Sequence, residues 1–164
     1  MKNNAKTIRL VFMGTPDFAV GSAQALKESG VDIAAVVTVP DKAAGRGLRL
    51  HQSAMKSWAQ AHELPILQPA DLRDAGFLQA LRAFEADLFV VVAFRILPKE
   101  VFSIPRLGTM NLHASLLPKY RGAAPINWAL IRGENETGVT TFLIDEQVDT
   151  GDYLLHKKVK IGEQ

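Results

Sequence analysis

Apolar residues first run together at "TIRLVFMG" (7–14), with no polar alternation, which predicts a strand buried on both faces. "DFAVGSAQALKESG" (17–30) carries its apolar residues at helical spacing, with Asp17 near the start and Gly30 after the end. "VDIAAVVTV" (31–39) predicts a second strand, and "PDKAAGRGLRL" (40–50) is too rich in glycine and charge to be a core element. A helix from about 52 to 62, a short strand in "LPILQP" (64–69) and a helix from about 71 to 84 lead to "ADLFVVVAF" (86–94), the most continuously apolar strand of the chain. This βαβα order predicts an α/β fold with a mostly parallel sheet covered on both faces.

Further along, "GTMNLHAS" (108–115) reads as a strand and "APINWALIRG" (124–133) as a helix closed by Gly133. "GVTTFLID" (138–145) is another strand, and "DYLLHKKVKI" (152–161) a last one near a sheet edge. Seven strand candidates fill the 164 residues as one domain, so any further domain is expected beyond Gln164. With 48% hydrophobic residues, a chain of this length should bury roughly two-thirds of its unfolded surface. There is no cysteine, which excludes disulfides, thiolate metal sites and a cysteine nucleophile. No apolar run reaches the roughly 18 residues of a spanning helix, and "MKNNAK" leads directly into a core strand, so a cytoplasmic protein with no membrane partner is expected.

The net charge of +2 is small, but residues 1–62 hold eight Lys/Arg against four Asp/Glu, and the excess is densest between Lys42 and Lys56. In "KAAGRGLR", two glycines around Arg46 form a loop that presents Lys42, Arg46 and Arg49 beyond the carboxyl end of the second strand, the ligand side of an open α/β sheet. A clamp for phosphate or nucleic-acid backbone is the functional reading and a solvated loop the bland one. At the end of the first strand only Gly14 of a dinucleotide fingerprint is present; it serves either a tight turn or the close approach of a ligand.

Asn111 and His113 stand at i and i+2, so they leave one face of their strand at its carboxyl end. An asparagine N–H can stabilise an oxyanion, and a histidine can donate or accept a proton near neutral pH. A satisfied polar patch at a strand end is the alternative. A carboxylate would favour the imidazolium form, and of Asp145, Asp149 and Asp152 in "DEQVDTGD", Asp149 is the preferred partner because Gly151 permits a tight loop behind it. Ser115 lacks the context of a serine nucleophile. Scattered histidines argue against a metal, and His51, His62 and His156 are expected to be structural or superficial.

"VFMGTPDFAV", "TVPDKAAGRG", "VVVAFRILP", "NLHASLLPKYRGAAPINWAL" and "TGVTTFLIDEQVDTGD", in this order, closely resemble the catalytic domain of methionyl-tRNA formyltransferases over essentially the whole chain. The resemblance implies a Rossmann-like, mostly parallel sheet flanked by helices on both faces, spanning residues 1–164 as the catalytic domain. It implies transfer of a formyl group from 10-formyltetrahydrofolate to the α-amino group of methionyl initiator tRNA, by a monomer and without a metal. The family's catalytic residues fall on Asn111, His113 and Asp149. Its folate site falls on Phe94, Arg95, Ile96 and Leu97 and on Ser115, Leu116, Leu117 and Pro118, and its tRNA-contacting loop on Lys42, Arg46 and Arg49. Arg95 stands where the family usually has glycine, as does Gln147 two residues before Asp149; the family's second, tRNA-contacting domain is absent from the 164 residues. An amino-sugar nucleotide formyltransferase and a non-catalytic folate- or tRNA-binding fragment are the alternatives.

Overall fold

In the computed structural model the described residues are 7–44, 49–147 and 151–162, and the chain divides into two units, Met1–Gly108 and Thr109–Gln164. The first unit is built on β1 (Arg9–Gly14), β2 (Asp32–Val37), β5 (Ile66–Leu67) and β6 (Leu88–Val92), which run parallel in the order β5-β2-β1-β6. Val11, Phe12, Val36, Val37, Phe89 and Val92 are fully buried, as the unbroken apolar runs require of strands covered on both faces. Asp87 sets the register of β1 against β6: its backbone N–H donates to the Arg9 carbonyl at 2.7 Å, and its carboxylate accepts from the Arg9 N–H at 3.0 Å and from Arg106 Nε at 2.7 Å.

Helix α1 (Asp17–Glu28) buries Ala19 and Ala23, one turn apart, and α2 (Ala54–Ala61) buries Met55, Trp58 and Ala59. The two touch, and Trp58 Nε1 donates to Gln24 Oε1 at 2.8 Å between them. Small residues at the buried positions of α1 let it approach the sheet closely. Gly14 belongs to the same contact, since a Cβ there would lie 2.6 Å from Ala19 Cβ and 2.9 Å from the Val92 carbonyl. Its lack of a side chain is thus required by packing. Helix α3 (Ala75–Ala83) starts four residues later than the pattern suggests, because Asp74 accepts from the Phe77 N–H at 2.8 Å and so marks the true N-terminus. A right-handed return from β5 to β6 puts α3 on the sheet face opposite α1 and α2. A short α4 (Lys99–Phe102), not anticipated from the pattern, follows Pro98.

Residues 40–43 and 50 are outside the core, as expected, but this stretch is not a plain loop. β3 (Lys42–Ala44) and β4 (Arg49–His51) pair antiparallel as a separate two-stranded ribbon. A three-residue strand buries no apolar face, so its alternation leaves no trace in the sequence.

The second unit carries β7 (Thr109–His113), β8 (Glu136–Leu143) and β9 (Tyr153–Lys160), antiparallel and in that order, with α5 (Pro125–Ile131) between β7 and β8. Pro125 occupies the first helical position and Gly133, at φ +65°, follows the end. β9 pairs only with β8 among the described residues, and all eight of its residues are exposed, in keeping with an edge. No helix among the described residues is long and apolar enough to cross a membrane.

Candidate active site

In the second unit the antiparallel register aligns β7 with β8, so that Asn111 lies opposite Phe142 and His113 opposite Thr140. β9 extends both rows: Phe142 is paired with Tyr153, and Thr140 with His156. Directly paired residues share a face, so Asn111, His113 and Thr140 stand on the same side of this sheet. His113 is only 8% exposed, and its Nε2 lies 2.8 Å from the Tyr120 carbonyl oxygen. A carbonyl can only accept, so Nε2 carries the proton in this contact. Asn111 is half-buried on the same strand.

The segment after β7 is held by one buried hydroxyl. Thr140 Oγ1 donates to the Ser115 carbonyl at 2.7 Å and accepts from the Leu117 N–H at 3.0 Å. His156 Nδ1 lies 3.1 Å from the same oxygen, whose single proton is already given to Ser115, so the histidine is the donor there. Ser115 is fully buried and donates to the Lys119 carbonyl at 2.6 Å, which commits its hydroxyl to the turn. Leu117 is buried, Leu116 half-buried and Pro118 exposed. Tyr120, at φ 56°, then brings its carbonyl back to His113. The structure thus assembles Asn111, His113 and Ser115 to Pro118 around the carboxyl end of one strand. Thr140 and the Tyr120 carbonyl were missed from the sequence; the one available signal was a hydroxyl at an inward position of "GVTTFL".

At the end of β8, whose Leu143 pairs with Met110 near the start of β7, a Cβ at Gly151 would run into the Leu143 carbonyl, while the Leu143 N–H donates to the Asp152 carbonyl at 3.2 Å. Only glycine permits that return path, as the sequence pattern suggests. The Gln147 N–H donates to Asp145 Oδ1 at 2.8 Å, a local turn that any residue at 147 can make through its backbone. Asp149 and Arg46 lie outside the described residues. Among the described residues, no group of three or more His, Asp or Glu side chains is placed to hold a metal.

In the first unit, residues 93–97 leave the carboxyl end of β6. Ala93 adopts φ 47°, a left-handed conformation that costs energy in a non-glycine residue. Phe94 is half-buried beneath the Arg95 guanidinium, 5.2 Å from its ring centre, Leu97 is buried and Ile96 is 80% exposed. Arg95 donates to the Pro69 and Ala70 carbonyls at 2.7 and 3.0 Å, and its buried Nε has no hydrogen-bond partner. The Arg95 side chain therefore ties the β6 end to the segment after β5.

Lys42 is exposed on the ribbon, and Arg49 stands at the start of its second strand, opposite Ala44. The ribbon is fixed at its roots: Thr38 and Ser53 share a 2.7 Å hydrogen bond, Lys56 pairs with Asp41, and Gln68 Nε2 bonds both Asp41 Oδ1 and the Val39 carbonyl. The hydrogen bonds from Lys56 and then Gln68 hold the Asp41 carboxyl below the usual carboxylate range. A folded-state value below the unfolded one means stability present above the ordinary carboxylate pKa and lost as pH falls through the lowered value. Asp41→Asn is therefore expected to make the 42–51 ribbon several-fold more sensitive to proteolytic nicking at neutral pH. The difference from the parent should shrink in acid; equal nicking at neutral pH would contradict the anchoring.

The formyl transferase family model matches residues 7–164. The chain is 54% identical to a methionyl-tRNA formyltransferase of Bacteroides fragilis over 156 residues, covering 95% of this chain and 48% of that protein. Against one of Flavobacterium psychrophilum the identity is 56% over 159 residues, covering 96% and 50%. The chain thus spans about half the length of the curated relatives it matches. Among solved structures, a phosphoribosylglycinamide formyltransferase of Bacillus halodurans superposes with a TM-score of 0.75 at 21% identity, over 95% of this chain and 81% of that one. A formyltetrahydrofolate deformylase of Pseudomonas syringae pv. tomato gives 0.74 at 24% identity, over 96% and 52%. These likenesses bear out the α/β, Rossmann-like, mostly parallel fold read from the sequence. With the family model covering nearly every residue, the chain belongs to the formyl transferase family.

Proposed function

We propose that this chain is the catalytic domain of a cytoplasmic, monomeric enzyme that transfers the formyl group of 10-formyltetrahydrofolate to the α-amino group of methionyl initiator tRNA, without a metal. The observation that carries this reading is the identity of more than half of the aligned residues with methionyl-tRNA formyltransferases over nearly the whole chain. The strand end supports it chemically. Formyl transfer is acyl transfer in which the amine attacks directly, so it needs oxyanion donors and a proton relay but no enzyme nucleophile. Ser115, whose hydroxyl is spent on Lys119, and a chain without cysteine suit that requirement.

In this mechanism the neutral amine forms a bond to the formyl carbon, and the carbonyl electron pair moves to oxygen. Asn111 and protonated His113 stabilise that oxygen. The Tyr120 carbonyl orients the ring through Nε2–H, and the imidazolium delivers the proton that the departing folate nitrogen needs through Nδ1. Asp149 favours the imidazolium and takes the proton released by the amine, directly or through water, and this proton restores His113. The pair on oxygen then re-forms the carbonyl as the bond from carbon to the folate nitrogen breaks, and that bond's electrons stay with the nitrogen as it is protonated. Folate contacts are assigned to Phe94 to Leu97 in the first unit, with exposed Ile96 as an apolar contact, and to the 115–118 turn in the second. Lys42, Arg46 and Arg49 contact the tRNA.

Incubating the chain with 10-formyltetrahydrofolate and charged initiator tRNA should yield formylmethionyl-tRNA, and Asp149→Asn should slow single-turnover transfer by about 10² or more with the fold retained. Formylation of an amino-sugar nucleotide with no transfer to the charged tRNA would overturn the substrate assignment. An unchanged rate in the Asp149 variant would move the carboxylate role to Asp145 or Asp152.

A further inference from the structure

Next to the turn that orients His113, the second unit carries an open cleft of about 560 Å³ lined by Lys119, Tyr120, Arg121, Trp128, Arg132 and Glu134. Three of these side chains are cationic and one is anionic. That one carboxylate is already engaged: Glu134 accepts from the Tyr120 hydroxyl at 2.6 Å and faces Lys119 Nζ at 3.8 Å. The Tyr120 hydrogen bond, and then the Lys119 charge, hold the Glu134 carboxyl below its ordinary value, so it is ionised at neutral pH and the lining keeps an excess of two positive charges. Arg132 lies over the Tyr120 ring with its guanidinium carbon 5.6 Å from the centre, and Arg121 donates to the Tyr153 hydroxyl at 3.4 Å. Trp128, 49% exposed on α5, leaves its indole to solvent in the same cleft.

We propose that this cleft is a subsite for one nucleotide of a single RNA strand, with its phosphate among Lys119, Arg121 and Arg132 and its base stacked on Trp128. Cations in excess answer the phosphodiester, and an exposed aromatic face answers any base without selecting its sequence. A purely anionic ligand would leave the indole without a role, and a purely apolar one would desolvate three cations. This inference rests on the reading of the substrate as a charged tRNA and adds a contact in the second unit to those proposed for Lys42, Arg46 and Arg49. The subsite also adjoins the chemistry through a single residue: Tyr120 lines the cleft with its ring and orients His113 with its carbonyl.

The test is titration of a tetraribonucleotide into the chain, followed by tryptophan fluorescence. Trp58, 8% exposed and bonded to Gln24, supplies a constant background. The RNA should quench the Trp128 signal, with affinity falling as salt rises. Arg132→Gln should weaken binding by about ten-fold and reduce the logarithmic salt slope by about 0.7, the value for one phosphate contact on a single strand. Trp128→Ala should weaken binding, read by fluorescence anisotropy of labelled RNA, by about ten-fold or more. Circular dichroism should match the parent for both variants. RNA binding unaltered by both substitutions would overturn the subsite even if formyl transfer to charged tRNA is observed. Tetraglutamate binding as tightly as the RNA would overturn the nucleotide assignment. Tetraribonucleotide binding that depends on Trp128 and Arg132, in a chain that formylates only an amino-sugar nucleotide, would uphold the subsite and overturn the tRNA reading alone.

Discussion

His113→Ala is expected to lower single-turnover formyl transfer by about 10²–10³ while leaving folate affinity within a factor of about two, because in the proposed mechanism the ring acts on charge that develops only in the transition state. The ring is buried and its Nε2–H is held by the Tyr120 carbonyl, which fixes its orientation. Asn111→Ala should cost about 3–4 kcal/mol of transition-state stabilisation for the loss of one oxyanion donor. Since both residues serve the same oxygen, the double variant should lose less than the product of the single losses. Rates and folate dissociation constants for the three variants decide the point. Near-normal turnover in either single variant would remove that residue from the chemistry, and a large parallel loss of folate binding would assign it to the ground state.

Thr140→Val is expected to lower the melting temperature by about 5–15 °C and the transfer rate by about ten-fold, although it lies outside the proposed catalytic set. Valine nearly matches the shape of threonine but offers no hydroxyl. The substitution leaves the Ser115 carbonyl and the Leu117 N–H without their partner in a buried position, at a cost of about 1–3 kcal/mol each. The rate falls because the same turn carries the Tyr120 carbonyl to His113. Thr140→Ser, which restores the hydroxyl, should recover most of both quantities. A valine variant that melts within about 2 °C of the parent would show that the turn is held by other contacts, and a stable fold with full activity would separate Thr140 from His113.

The shared face of Asn111 and His113 and the tight backbone path at Gly151 were legible because their signals are local. Asn111 and His113 are two apart in a strand, and two-residue periodicity alone puts them on one face. Gly151 announced a close backbone approach, and the Leu143 carbonyl is what it avoids. The ribbon at 42–51 was not legible, since strands of three residues have no buried face to alternate. Asp74 was passed over as the start of α3 because Asp71, also acidic, precedes it; only the hydrogen bond to the Phe77 N–H distinguishes them.

By itself the sequence determined the succession of β1, β2 and β5 to β9 and of α1, α2, α3 and α5, the burial of β1, β2 and β6, and the polar end of β7, because each depends on residues within a few positions of one another. The tertiary structure decided which partner completes each polar group. The pairing of β7 with β8 sets Thr140 opposite His113, 27 positions along, and a left-handed backbone at Tyr120 returns a carbonyl to the histidine ring. Neither follows from composition or period, since a hydroxyl or a carbonyl finds its partner through the register of strands far apart in the chain, and a shift of one residue would turn each of these side chains to the other face of the sheet.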